Sequence, residues 1–271
     1  MTARVEIDGA ELACEDTGGD GSAVVLIHGL GGSLYGWRAQ LHALGEAGFR
    51  AIAYDQRGAG LTREPEGGRP RGPFSVERWA ADAVALIDAL GLERVALVGH
   101  SMGCMVAERA AVGLENRCWA LALCGGRAEW PERAGETFEQ RAAIARAGRI
   151  DEVAEAVAAG GLSDRCRAER LELWGLMVAS VAANDPEAYA ESALATGRGS
   201  MAGLEDLDCP VLAFAGSEDV VTPPDAAAEI AAAAPRGEAT VIDGAAHWCM
   251  LEAAEAVSRV LVEFLDRSRP R

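Results

Sequence analysis

Five consecutive residues, Gly99-His100-Ser101-Met102-Gly103, set a serine between two glycines at G-x-S-x-G spacing. A serine hydroxyl is a weak nucleophile at neutral pH. To attack a carbonyl it needs an adjacent base and a carboxylate that orients the base. The pattern provides a sharp strand-to-helix turn that lifts the hydroxyl clear of a sheet. Glycine suits both flanks, because a side chain there would crowd the neighbouring strand or helix.

The chain has four histidines. His28 belongs to a glycine loop, His100 lies inside the turn and His42 falls in a surface helix. His247 follows a late strand in a loop, and by position and elimination it is the base. Three carboxylates compete to orient it. Asp219, just past a strand end, is favoured over its neighbour Glu218, which would point elsewhere on the turn, and over Asp243, which would shape the loop before His247. An oxyanion formed at Ser101 needs backbone donors already aimed at it. The expected donors are the N–H of Met102, at the start of the helix, and that of Leu30, in the loop His28-Gly29-Leu30-Gly31-Gly32. Asp55 and Arg57 read as polar staples for the turn Gly58-Ala59-Gly60.

These residues require a particular scaffold. Segments 4–7 and 11–16 alternate around Asp8-Gly9-Ala10 and predict an opening hairpin. Continuous apolar runs at 23–27, 95–98 and 119–123 suit strands buried on both faces of a parallel sheet, and 50–54 reads as a further strand. Between them, Ser75 caps a helix whose face carries Val76, Trp79, Ala80, Ala83, Ile87 and Leu90, with Gly91 as its stop. Strand and helix in alternation predict a doubly wound α/β fold with a mostly parallel sheet of about eight strands.

The alternation breaks over 127–207, which shows only helical segments at about 136–147, 151–159, 164–183 and 186–196. This block is expected to be an inserted helical lid on a core made of 1–126 and 208–271. Strands resume at 210–215 and 239–242. Between them, Thr222-Pro223-Pro224-Asp225 opens a helix with Thr222 as its cap residue. A final helix carries Val257, Val260, Leu261, Phe264 and Leu265 on one face.

Composition narrows the partners. The formal net charge is −17 over 271 residues, which disfavours nucleic acid and anionic membranes, since both demand clustered positive charge. The seven cysteines form no C-x-x-C pair. Their spacing suits neither zinc nor a disulfide framework, and the start of the chain does not read as a signal peptide. No apolar run reaches membrane-spanning length. The expectation is a cytoplasmic enzyme with no metal, no membrane partner and a small-molecule substrate. The sequence carries no signal for oligomeric state.

The order Ser101, Asp219, His247, with His28-Gly29-Leu30-Gly31, Asp55-Gln56-Arg57-Gly58-Ala59-Gly60, Gly99–Gly103, Gly216–Asp219 and the His247 loop, resembles the α/β-hydrolases over essentially the whole chain. Within them it is most similar to 3-oxoadipate enol-lactonases and related small esterases, through 141–148, 186–190, Thr222-Pro223-Pro224 and Gly244-Ala245-Ala246-His247. The resemblance implies a Ser101–Asp219–His247 triad, no cofactor, and hydrolysis of an ester or lactone. Two positions depart from the lactonase pattern. Cys104 replaces a glycine and either packs under the helix or reshapes the pocket floor, and Phe138 stands where a lid tryptophan is usual. A carbon–carbon bond hydrolase, or a ligand-binding member of low turnover, is the alternative. Trp130, Phe138, Trp174, Met177, Tyr189 and Trp248 are the expected pocket wall.

Overall fold

The computed structural model describes residues 2–63 and 73–270. The elements follow in chain order: β1 Ala3–Ile7, β2 Ala10–Asp16, β3 Ala23–Ile27, α1 Arg38–Glu46, β4 Arg50–Tyr54, α2 Val76–Ala89, β5 Val95–His100, α3 Met102–Leu114 and β6 Cys118–Cys124. Five helices come next: α4 Glu132–Arg146, α5 Ile150–Gly161, α6 Asp164–Glu169, α7 Leu171–Ala182 and α8 Pro186–Arg198. Then come β7 Val211–Gly216, α9 Pro224–Ala233, β8 Gly237–Ile242, α10 Cys249–Glu252 and α11 Ala254–Ser268. The eight strands form one sheet in the order β1-β2-β4-β3-β5-β6-β7-β8. Among the described strands only the β1–β2 and β2–β4 pairings are antiparallel, so the sheet is the mostly parallel, doubly wound one that the alternation predicts.

The hairpin turns at Asp8 and Gly9, both at positive φ (+43° and +74°), as a tight two-residue loop requires. β3, β5, β6 and β7 are buried along their whole length, which explains their unbroken apolar runs. Successive residues point to opposite faces. Val25 and Ile27 of β3 join the core under α2, α3 and α9, whereas Val24 and Leu26 join the core under α1 and α11. Both faces are covered, so β5 runs through the centre of the molecule and delivers Ser101 at its end. The Ser75 hydroxyl accepts the Arg78 N–H at 3.1 Å and caps α2 as expected.

The helical block inserts between β6 and β7. α4 packs on α8, and α5 on α7, around a small core of Phe138, Ala142, Val153, Val181 and Tyr189. The segment 164–183, expected as one helix, is two. α6 ends at Glu169 and α7 begins at Leu171, because Arg170 leaves helical geometry at φ −124°, ψ 61°. No glycine or proline marks this break in the sequence. Thr222 is not the cap of α9 either. That role falls to Pro223, and the threonine side chain is engaged elsewhere. Among the described residues, no helix is long and apolar enough to cross a membrane.

Candidate active site

β5 leads into α3 through Ser101, held at φ +52°, ψ −118°. A non-glycine residue at such a φ is strained, and it persists only where its surroundings enforce it. The flanking glycines show how. A Cβ on Gly99 would lie 2.3 Å from the Gly103 carbonyl oxygen, and one on Gly103 would lie 2.5 Å from that of Ile27. Backbone cannot yield at those distances, so α3 seats against β3 and β5 only with glycine at both positions. The Ser101 N–H is anchored to the Cys124 carbonyl at 2.9 Å.

Three side chains from three different strand ends meet at this turn. The Ser101 hydroxyl donates to His247 Nε2 at 2.9 Å, and His247 Nδ1–H donates to Asp219 Oδ2 at 2.8 Å. The carboxylate fixes the tautomer: an acceptor facing Nδ1 puts the proton there and leaves Nε2 free to receive one. Asp219 and His247 are both buried, at 3 % and 6 % exposure. Asp219 Oδ1 accepts the N–H groups of Val221 and Thr222, both at 2.8 Å. Burial pushes the Asp219 carboxyl up, but the adjacent His247 and these hydrogen bonds outweigh it and hold the acid below the usual carboxylate range. It therefore stays ionised at neutral pH. Glu218 and Asp243, the other two carboxylates considered, make no hydrogen bond to His247.

Two participants at this site were not legible as such. The Thr222 hydroxyl donates to Asp219 Oδ2 at 2.8 Å, and its oxygen lies 3.1 Å from His247 Nδ1. It thus braces both members of the acid–base pair. Gly125, at φ +59° after β6, lies under the imidazole. A Cβ there would come within 3.2 Å of His247 Nδ1 and 3.4 Å of Thr222 Oγ1.

The loop after β3 closes the other side. A Cβ on Gly29 would stand 3.1 Å from the Ser101 Cβ, so this backbone lies directly against the serine. Neither the Leu30 N–H nor the Met102 N–H has a protein acceptor among the described residues. His28 holds the loop's shape: its Nδ1–H donates to the Gly29 carbonyl at 2.8 Å and its Nε2 accepts the Gln56 N–H at 3.0 Å. His100 Nε2–H donates to the His247 carbonyl at 3.0 Å. Burial, with repulsion from His247, drives its pKa down to about 3, so it is a neutral prop. Asp55 accepts the Leu34 and Leu61 N–H groups, both at 2.7 Å. Arg57 pairs with Asp82 at 2.8 Å. Both act as turn staples.

The cavity over Ser101 is lined by Leu30, Trp130, Phe138, Tyr189 and Trp248 among others. Phe138 meets Trp130 edge-on, with ring centroids 5.2 Å apart. Trp174 and Met177 do not line it. They sit with the core of α1 and α11, because the face of α7 that carries them turns away from the serine. Arg141, in the stretch 141–148 and not among the expected pocket residues, does line it. Cys104 stays out of the cavity. Its thiol donates to the Gly99 and Cys124 carbonyls at 3.3 Å each and packs beneath α3. No group of residues able to hold a metal ion occurs among the described residues.

Comparison with known proteins agrees with this architecture. The family model described as alpha/beta hydrolase fold matches residues 22–254. Among solved structures, a thermophilic esterase from Thermogutta terrifontis superposes with a TM-score of 0.90 at 28% identity, covering 100% of both chains. The enol-lactonase from Burkholderia xenovorans gives 0.89 at 26%, over 97% of this chain and 100% of that one. A bromoperoxidase from Bacillus anthracis gives 0.84 at 25%, over 98% and 99%.

Proposed function

The chain belongs to the α/β-hydrolase family and is a hydrolase by class, and from that premise we propose that it cleaves a carboxylic ester or lactone through an acyl-enzyme on Ser101. One observation carries the reading: the unbroken line from Ser101 Oγ to His247 Nε2, 2.9 Å, and from His247 Nδ1 to Asp219 Oδ2, 2.8 Å. As Ser101 Oγ attacks the carbonyl carbon, its proton passes to His247 Nε2, and ionised Asp219 stabilises the resulting imidazolium. The negative charge that forms on the carbonyl oxygen is received by the N–H groups of Leu30 and Met102. Collapse of the tetrahedral species breaks the ester C–O bond, and the leaving alkoxide takes the proton back from His247. Water then repeats the sequence and frees the acid; from a lactone the product is a single hydroxy acid. Helices α4–α8 act as a lid whose Phe138 and Tyr189, with Trp130 just before α4 and Trp248 beside His247, wall the cavity and limit water at the acyl-enzyme.

The test is a panel of p-nitrophenyl esters and aliphatic and aromatic lactones, run on wild type and Ser101→Ala, with fluorophosphonate labelling alongside. Turnover that disappears in the variant, with labelling confined to Ser101, supports the reading. Labelling without turnover of any ester or lactone shifts the assignment to carbon–carbon bond hydrolysis on the same triad. Absence of both refutes the acyl-enzyme reading and favours a ligand-binding member of the family with low turnover.

A further inference from the structure

Beside the Ser101 cavity lies a second, larger chamber. Its volume is about 280 Å³, against about 50 Å³ for the space over the serine. It runs between α7, through Leu176, Met177 and Ala179, and the loop that carries Tyr35 and Gly36, with Leu251 as its floor. The walls are mainly apolar, and two of them, Tyr35 and Leu176, are large hydrophobics left 37% and 44% exposed. Soluble proteins rarely leave such a concavity lined this way unless it takes an apolar ligand. Among the described residues one side chain, Trp248, lines both spaces.

Trp248 is held as a wall. Its backbone N–H donates to the Gly161 carbonyl at 3.1 Å, and its ring lies 4.8 Å, centroid to centroid, from that of His100. The indole slots over two glycines. A Cβ on Gly161 would come within 2.7 Å of Cδ1, and one on Gly32 within 3.2 Å of Cη2. One glycine ends α5 in the helical block and the other sits in the loop after β3, so the plate spans the gap between block and core.

We propose that Trp248 is the specificity-determining partition of this site: it confines the wild-type enzyme to short chains at Ser101 and bars the substrate's hydrocarbon chain from the apolar chamber behind it. The proposal rests on the serine-hydrolase reading. Removing the indole joins the two spaces, and each further methylene that then leaves water is worth about four-fold. The chain that enters belongs either to the acyl group or to the alcohol, and two substrate series separate these sources.

Wild type and Trp248→Ala are compared on p-nitrophenyl esters from acetate to octanoate and on alkyl acetates of the same lengths, with the fluorophosphonate labelling rate measured on each protein. The expected result is a wild-type profile falling from acetate onwards. In Trp248→Ala the ratio of octanoate to acetate kcat/KM rises at least about ten-fold if the acyl chain enters, or the octyl acetate ratio rises if the alcohol does. Ala179→Trp, which fills the chamber, takes that gain back in the Trp248→Ala background. If Trp248→Ala loses labelling because His247 has shifted, Trp248→Leu is read in its place, with a smaller gain expected. Variants that label normally yet keep the wild-type length profile in both series overturn the partition. Wild type that does not label at all overturns the serine-hydrolase reading, and the partition with it.

Discussion

Thr222→Val tests whether the hydroxyl bracing Asp219 belongs to the acid–base unit. Valine matches threonine in shape but can neither donate to Asp219 Oδ2 nor accept near His247 Nδ1. A hydrogen bond to a charged group contributes about 1.5–3 kcal/mol. Asp219 keeps three other donors, the Val221 and Thr222 amides and His247, so the lower end applies, about 1.5 kcal/mol. Unfolding entropy near 2.1 cal/mol/K per residue over the 271 residues gives about 570 cal/mol/K, so the melting temperature should fall by about 3 °C. On the proposed mechanism His247 gains a full charge against Asp219 at the transition state, and the part of this bond that strengthens there sets the loss in kcat/KM, up to about ten-fold.

The pH dependence fixes the sign. Asp219 is held below the range of a free carboxyl, so its contribution is complete above the unfolded value near 4 and disappears as pH falls through the folded one. The deficit of Thr222→Val should therefore be full at pH 7 and shrink below about pH 4. Thr222→Ser, which restores the donor, should recover most of the activity. Scanning calorimetry and ester kinetics on the three proteins decide the matter. A valine variant within about two-fold of wild type in kcat/KM and unchanged in melting temperature refutes the argument, as does a serine variant that rescues nothing.

Two further outcomes follow from packing and burial. Gly103→Ala would place a Cβ 2.5 Å from the Ile27 carbonyl and 2.6 Å from that of His28, so α3 must lift from the sheet; we expect a loss of at least about 3 kcal/mol in urea unfolding, and a variant of wild-type stability would show that the helix moves freely. His100, with its pKa pushed down to about 3 by burial and by His247, takes up its proton only on unfolding, so its contribution to stability is complete above about pH 6.5 and declines as pH falls toward 3, by at most about 1.4 kcal/mol per pH unit. Urea midpoints measured from pH 7.5 to 4.5 should fall accordingly, and an imidazole resonance of His100 titrating near pH 6 would contradict the assignment.

Much of the site was legible because its signals are local. G-x-S-x-G between a buried run and a helical pattern has few other physical uses, and each glycine is forced by a backbone contact that the sequence pattern anticipates. The histidine and the acid follow late strands, so the strand rhythm brings Asp219 and His247 to the same end of the sheet as Ser101. The doubly wound sheet likewise follows from unbroken apolar runs, which only a sheet covered on both faces can hide.

What the tertiary structure decided is long-range. Thr222 reads as a helix cap from its neighbours, yet the turn closed by Asp219 aims its hydroxyl at the carboxylate instead. The break at Arg170 carries no breaker residue, and only the backbone there, outside helical geometry, reveals it. Helical spacing puts Trp174 and Met177 together on a face but cannot say which neighbour that face meets; the packing of α7 against the core turned them away from Ser101, and α4, packed on α8, carries Arg141 to the cavity. Trp248 shows the same division: sequence places it beside His247, whereas only the approach of Gly161 and Gly32, remote from each other along the chain, makes its ring a wall between two spaces. Local order along a strand determines which residues reach the Ser101 end of this sheet, and the packing of distant elements determines what surrounds them there.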